Sequence, residues 1–347
     1  MTVRSKTMQP KDWAVKAPDY IREGRLLGIE IHPPYVNKSS DDFSIQNDEI
    51  YFGFNAIQGI GKTAAKQVIK ARGNKSFEDI FDFLNRVNLS KFNTGSFKSL
   101  VLAGAFDKLG YNRLSLYNST EALFDYVRGV PEYQERLIEI KIREKENAEK
   151  TQLLGEKAGL VKELKKLEKQ LKKNPTPELQ SEIDSIEDKL LVYEAMSLNR
   201  KPALKEKEQP VMPELIKGSR VCITLPEIIA QCEYIGCYID HHPSKIIGSE
   251  CNKLNSVFSG EEVTICAVIS GVKEATTKTG AKMAFLNIGD DTGVAEVIAF
   301  SNVWINLDRD KLNKNRLAYI TGIVEDDDEP VKIKAKRIVI CEVESIE

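Results

Sequence analysis

Leu153, Leu160, Leu164, Leu167 and Leu171 recur at three- and four-residue steps, with one slot of the series filled by Lys157. After the interruption Lys-Lys-Asn-Pro-Thr-Pro-Glu, the stripe resumes at Leu179, Ile183, Ile186, Leu190 and Tyr193. Apolar residues at that spacing lie along one side of a helix and form a coiled-coil seam. Pro175 and Pro177 cannot continue the first helix, and Pro177 suits the first turn of a second one. The pattern predicts an antiparallel coiled-coil hairpin over residues 130–209, with its tip near Asn174–Thr176. Such an arm either binds a protein partner or serves as a spacer with solvated faces.

The rest of the chain must then fold on either side of that arm. At 347 residues the chain is too long for one small core. Pattern shifts divide it into an N-terminal segment (1–32), a helical region with glycine turns (33–129), the arm, a connecting segment (210–258) and a C-terminal region of strands (259–347). The formal net charge of −2 excludes a generally basic nucleic-acid coat, so DNA affinity must come from local patches. No run of about 18 apolar residues is present, which excludes a membrane-spanning helix. The opening MTVRSKTMQPKDW lacks the apolar stretch of a secretory signal. Six cysteines, none in the first 220 residues, fit a reducing cytoplasm rather than a disulfide framework.

The C-terminal region reads as all-β. Val263, Ile265, Ala267 and Ile269 alternate inward and are followed by the loop EATTKTGAK, then MAFLNIG, the turn DDTG and VAEVIAF. A helical stretch, SNVWINLDRDKL, precedes two more strands, RLAYITGIV and VKIKAKRIVIC. Three strands, a helix and two strands is the order of a five-stranded OB-fold β-barrel. The loops that rim the binding face of that fold correspond here to Lys273–Lys282 and Glu325–Glu329. The fold class is therefore α+β and multidomain.

The stretch Phe54–Arg72, FNAIQGIGKTAAKQVIKAR, has the form of a helix-hairpin-helix: apolar residue, Gly59, Ile60, Gly61, then a helix over Thr63–Ala71. Glycine allows a tight turn and close approach of a ligand. Free N–H groups and the dipole at the new helix start favour an anion, and Lys62 adds a cation there. Gly59, Ile60, Gly61, Lys62 and Thr63 are therefore candidate contacts to a DNA phosphate, which carry no sequence information. The glycine spacing excludes a nucleotide-binding P-loop. Gly104 reads as a packing glycine, and Arg113 as a solvated cation.

Cys232, Cys237, His241, His242 and Cys251 lack the paired spacing of structural zinc sites, so no metal site is assigned. Asp326–Asp328 are consecutive, so a strand would point them to opposite faces; they read as a solvated acidic tip. No carboxylate set suits two-metal nucleotidyl transfer, and no catalytic residue is assigned.

The blocks GRLLGIEIHPPYVNKSSDDF, IYFGFNAIQGIGKTAAKQVIKAR, SFEDIFDFLNRV and LVLAGAFDKLGYNR, in that order, resemble the alpha subunit of bacterial DNA polymerase III. IGCYIDHHPS and TTKTGAKMAFLNIGDDTGVAEVIAF resemble the same family's approach to its OB domain and that domain itself. The similarity spans residues 18–129 and 232–341.

The resemblance implies a DNA-binding portion of a replicative polymerase, whose carboxylate-bearing palm lies upstream in the family and is supplied here by another chain. The chain is then inactive alone, with no cofactor of its own; Mg2+ belongs to the missing palm. By position, Gly59–Lys62 match a hairpin used against duplex DNA. Lys273, Lys278, Lys282, Phe285, Lys332 and Lys334 fall on a candidate single-strand face. The Glu325–Glu329 loop beside that face would repel phosphates. Residues 1–32 would continue from a fingers-like region; the chain is then either a separately translated product of a divided gene, to which the dissimilar opening TVRSKTMQPKDW points, or an excised C-terminal part of such a polymerase. Partners implied are DNA, the palm-bearing chain and other replisome proteins. The alternative is a non-enzymatic DNA-binding scaffold that uses the arm for a partner.

Overall fold

The computed structural model describes residues 20–46, 48–217, 224–309, 312, 316–328 and 330–342. Expectations for the N-terminal segment before Tyr20, for Cys222, for Glu329 and for the C-terminus beyond Glu342 lie outside the described residues. Contacts divide the chain into two compact units: residues 1–124 with 213–347, and residues 125–212.

After a helical stretch at residues 20–26, the first unit forms a small sheet that the sequence pattern does not predict. Strands β1 (Glu30–His32), β2 (Ser44–Gln46) and β3 (Glu49–Tyr51) lie in the order β1-β3-β2. β1 runs parallel to β3, and β2 antiparallel to it. Each strand has three residues, too few for alternation to be read against the helical signal around it.

Four short helices follow: α1 (Lys62–Arg72), α2 (Ile80–Arg86), α3 (Thr94–Leu102) and α4 (Arg113–Asn118). They close over a cluster of phenylalanines. Phe83 sits at its centre, with ring centroids 5.0 Å from Phe77 and Phe106 and 5.6 Å from Phe92. Arg86 ties the cluster to the end of α1, donating 2.7 and 2.8 Å hydrogen bonds to the Ala71 and Arg72 carbonyls. Those carbonyls are among the acceptors a helix end leaves unpaired.

Helix α5 runs over Thr120–Lys173, straight through Pro131. The helix is therefore continuous across residues 129 and 130. The second unit holds most of α5 together with α6 (Pro177–Ala195), and the tip falls at Asn174–Thr176. Ile183 and Ile186 are buried in the seam. Lys157, the polar slot in the stripe, stands 3.8 Å from Glu194 of the opposite helix.

The returning limb is helical only to Ala195. Beyond it the chain is extended and strapped along α5. Lys150 donates to the Asn199 carbonyl at 2.8 Å, Asn147 to Lys201 at 2.9 Å, Arg136 to Lys205 at 3.2 Å, and Glu132 meets Lys207 at 3.0 Å. The lengths match: helix from Glu132 to Lys150 rises about 27 Å, and extended chain from Asn199 to Lys207 covers about the same. Pro202 and Pro210 disfavour helix here, and the side chains of α5 supply the partners that the extended backbone needs.

Because Glu132 and Lys207 already meet, that pair is a natural place to shorten the arm. Replacing residues 133–206 by a short flexible linker is expected to leave the first unit's cooperative unfolding intact, followed by the fluorescence of Trp304. Loss of that transition would place the arm within the core.

Helix α7 (Leu225–Ile235) opens the connecting segment with a capping box at Thr224 and Glu227, and α8 (Pro243–Ile247) follows. This segment is no loose linker. Gln231 donates to the Ala103 carbonyl at 3.0 Å, and Tyr234 accepts from the backbone of Gln58 at 2.8 Å.

The remaining strands are β4 (Glu262–Thr276), β5 (Lys282–Gly289) and β6 (Val294–Ala299), then a short α9 (Ser301–Trp304), β7 (Leu317–Asp326) and β8 (Val331–Ile340). They close as a barrel in the order β4-β5-β6-β8-β7, the expected OB topology. Val263, Ile265, Ala267 and Ile269 point into its core beside Trp304. Among the described residues no helix is long and apolar enough to cross a membrane.

Candidate nucleic-acid interface

The two glycines of the hairpin turn differ in role. Gly59 has φ +83°, and a Cβ there would collide with Ser99 Oγ. Gly61 has φ −80° and ψ 159°, which any residue adopts, and a Cβ there would meet only open space. The turn therefore needs glycine at 59 for its backbone and its packing. The tight turn is thus a requirement at Gly59 alone, whereas Gly61 only keeps a surface clear. Ile57 and Ile60 are buried and anchor the turn.

Gly61 is the N-cap of α1 and offers no side-chain acceptor. The neighbouring helices are capped from within: Asp79 accepts from Asp82 N, Asn93 from Ser96 N and Asn112 from Ser115 N. The first-turn N–H groups of α1 thus face outward without a side-chain partner, and no acidic residue lies in that turn. Lys62 and Thr63 are exposed beside them.

Two cations absent from the sequence reading extend the site. Lys66 and Lys70 are exposed and follow Lys62 at four-residue steps, so all three ride one side of α1. Their four-residue spacing is the sequence signal for this ridge in KTAAKQVIKAR. Arg72 is not part of this ridge. It donates to the Val36 and Ser39 carbonyls at 2.9 and 2.8 Å and serves the fold. Arg113 also leaves the list of solvated cations: it is 2% exposed, donates to Asp107 at 2.9 Å and reaches the Glu227 carbonyl at 3.2 Å.

On the barrel, strand register aligns one outward row. Lys273 of β4 pairs with Phe285 of β5, Phe285 with Ile298 of β6, and Ile298 with Lys334 of β8. Directly paired residues share a face, so an apolar strip across β5 and β6 is flanked by a lysine on each side. Phe300 continues the strip, with Lys334 Nζ 5.2 Å from its ring centre. Ile298 and Phe300 were legible only as a departure: the alternation of VAEVIAF puts them outward, where polar residues are the rule.

Three other candidates do not join that row. Lys282 is an odd number of residues from Phe285 along β5, so the pleat turns it to the opposite side. Lys278 lies in the exposed loop between β4 and β5. Lys332 is engaged by Asp326 at 2.8 Å, and this hydrogen bond raises its pKa and lowers that of Asp326.

Of the cysteine and histidine group, Cys232, Cys237 and His242 take part in the packing and capping around α7 and α8. Cys232 and Cys237 are buried, and burial pushes the Cys237 thiol well above its ordinary value. His242 caps α8, its Nδ1 2.7 Å from Ser244 Oγ, and burial pulls its pKa down to about 4.

Residues 28–116 match a family described as the helix-hairpin-helix motif, and residues 263–340 match the OB-fold nucleic acid binding domain. The DNA polymerase III alpha subunit of Bacillus subtilis is 25% identical over 292 residues, covering 82% of this chain and 20% of that protein. The Deinococcus radiodurans alpha subunit is 25% identical over 343 residues, covering 94% of this chain and 21% of that protein. Among solved structures, a domain of replication protein A from Methanococcus maripaludis aligns with 28% of this chain and 98% of its own, at 18% identity and a TM-score of 0.23. The chain thus spans about a fifth of the length of these curated relatives. Its helix-hairpin-helix and OB-fold regions, with the segments that join them, are similar to one stretch of the alpha subunit of bacterial DNA polymerase III.

Proposed function

We propose that this chain grips DNA for a replicative polymerase of the polymerase III alpha type, whose catalytic palm lies outside it. The observation that carries this reading is the uncapped start of α1, beyond an open Gly61, continued by the Lys62, Lys66 and Lys70 ridge. Donors, helix dipole and cations together suit the phosphates of a duplex. The Phe285–Ile298–Phe300 strip with its flanking lysines suits unstacked bases of a single strand. Thiols rather than disulfides among the described residues suit a reducing cytoplasm.

Two experiments test the two surfaces separately. Lys62→Ala is expected to lower the salt slope of duplex binding by about one, and to weaken two unrelated sequences equally. An unchanged slope and affinity would leave the turn as packing alone. Phe285→Ala is expected to cost about 1–3 kcal/mol in single-strand affinity while leaving duplex affinity as it was. Equal losses on both DNA forms would count against a dedicated single-strand face. The palm-bearing partner is tested by copurification, in which a larger polymerase chain is expected with the tagged protein.

A further inference from the structure

β1 and β3 are parallel, and their register sets Glu30 directly opposite Glu49. Like charges directly opposite are ordinarily unfavourable. His32 lies two residues beyond Glu30 on the same face, and its Nε2 stands 3.5 Å from a Glu30 oxygen and 3.7 Å from a Glu49 oxygen. Those separations exceed the 2.7–3.2 Å of an N–H···O hydrogen bond. They are close to the roughly 3.4 Å between ligands held 2.0–2.1 Å from a tetrahedral zinc ion. Nε2 itself is buried with no hydrogen-bond partner. A buried ring nitrogen without a partner is unusual and calls for one.

We propose that Glu30, His32 and Glu49 bind a divalent transition-metal ion of the zinc class. One potential ligand atom from each lies within 4.8 Å of the others, the arrangement a single ion requires. An imidazole with two carboxylates suits zinc better than magnesium, which prefers oxygen alone. The surroundings orient this set. Tyr51 donates a 2.7 Å hydrogen bond to the second Glu49 oxygen, and its ring stacks on His32 with centroids 4.8 Å apart. Partners of this kind, one shell out, hold metal ligands in place. Lys108 is drawn over the Tyr35 and Tyr51 rings, at 5.4 and 5.5 Å. The ion would clamp β1 to β3 just ahead of the hairpin turn.

The test is calorimetric titration of the full chain with Zn2+, and separately with Mg2+, for wild type, His32→Ala and Glu30→Gln. The Glu30 side chain is 71% exposed, so that variant folds even if the histidine change perturbs the sheet. Wild type is expected to show one Zn2+ site that both variants weaken by about a hundredfold or more, with no comparable Mg2+ site. Zinc should also raise the thermal midpoint of wild type and not of either variant. Thiol sites at the cysteines would survive both substitutions. Equal Zn2+ binding by all three proteins, or none by wild type, would overturn the proposal and leave the trio as an ion-pair cluster.

Discussion

Arg113→Ala is expected to destabilise the helical core by about 3 kcal/mol, near the low end for breaking a buried ion pair. The guanidinium is almost fully enclosed, holds Asp107 through two donors, and reaches the backbone of α7 at Glu227. Its removal leaves the Glu227 carbonyl without this donor, beside a void next to Gly104. Asp107 is 21% exposed and recovers some solvation, which keeps the cost near the low end. Gly104 belongs to the same device: its φ is +84°, and a Cβ there would approach Arg113 and Gln231 closely. Hydrogen exchange reads the effect locally. The slowest amides of α3 should lose about two orders of magnitude of protection. A change under tenfold would mean that the pair contributes to packing geometry and little to stability. Coupling to Asp107→Ala in a double-mutant cycle would isolate the ion pair from the lost packing.

Gly59→Ala and Gly61→Ala should separate fold from function within three residues of chain. At Gly59 the left-handed backbone and the collision with Ser99 add up. A cost of about 1–3 kcal/mol is expected from the backbone alone. Ser99→Ala in the same chain should recover the collision and not the backbone strain. Gly61→Ala should change stability by about 1 kcal/mol at most, the scale of an N-cap preference. It puts a methyl group where a phosphate would approach, so duplex affinity should fall by about 1.5–3 kcal/mol, the value of a hydrogen bond to a charged group. Unfolding curves and duplex titrations on both variants settle the matter. If Gly61→Ala binds duplex as wild type does, the start of α1 is not the phosphate site.

The barrel was legible because strand alternation is local: Val263, Ile265, Ala267 and Ile269 declare one buried face in seven residues. The hairpin tip was legible for a similar reason, since two prolines interrupt a stripe that is otherwise continuous. The returning limb was less so. A composition rich in Lys, Glu and Leu suits a helix, yet the chain after Ala195 is extended because α5 offers side-chain partners at matching intervals. The small sheet of β1, β2 and β3 is not legible in the sequence because strands of three residues carry almost no periodic signal.

By itself the sequence determined the order of regions, the hairpin turn with its two glycines, the barrel strands and the coiled-coil seam. These depend on neighbours within a few residues, where spacing and backbone preference act directly. Tertiary structure decided which cations stay exposed and which are bound into the fold. Lys62, Lys66 and Lys70 line one open side of α1, whereas Arg72, Arg86, Arg113 and Lys332 are spent on carbonyls and carboxylates of the fold. It also decided that Lys273, Phe285, Ile298 and Lys334 form one row, and that Glu30, His32 and Glu49 converge. A charge has no periodicity that reveals its partner, and cross-strand neighbours are set by register between segments far apart in the chain.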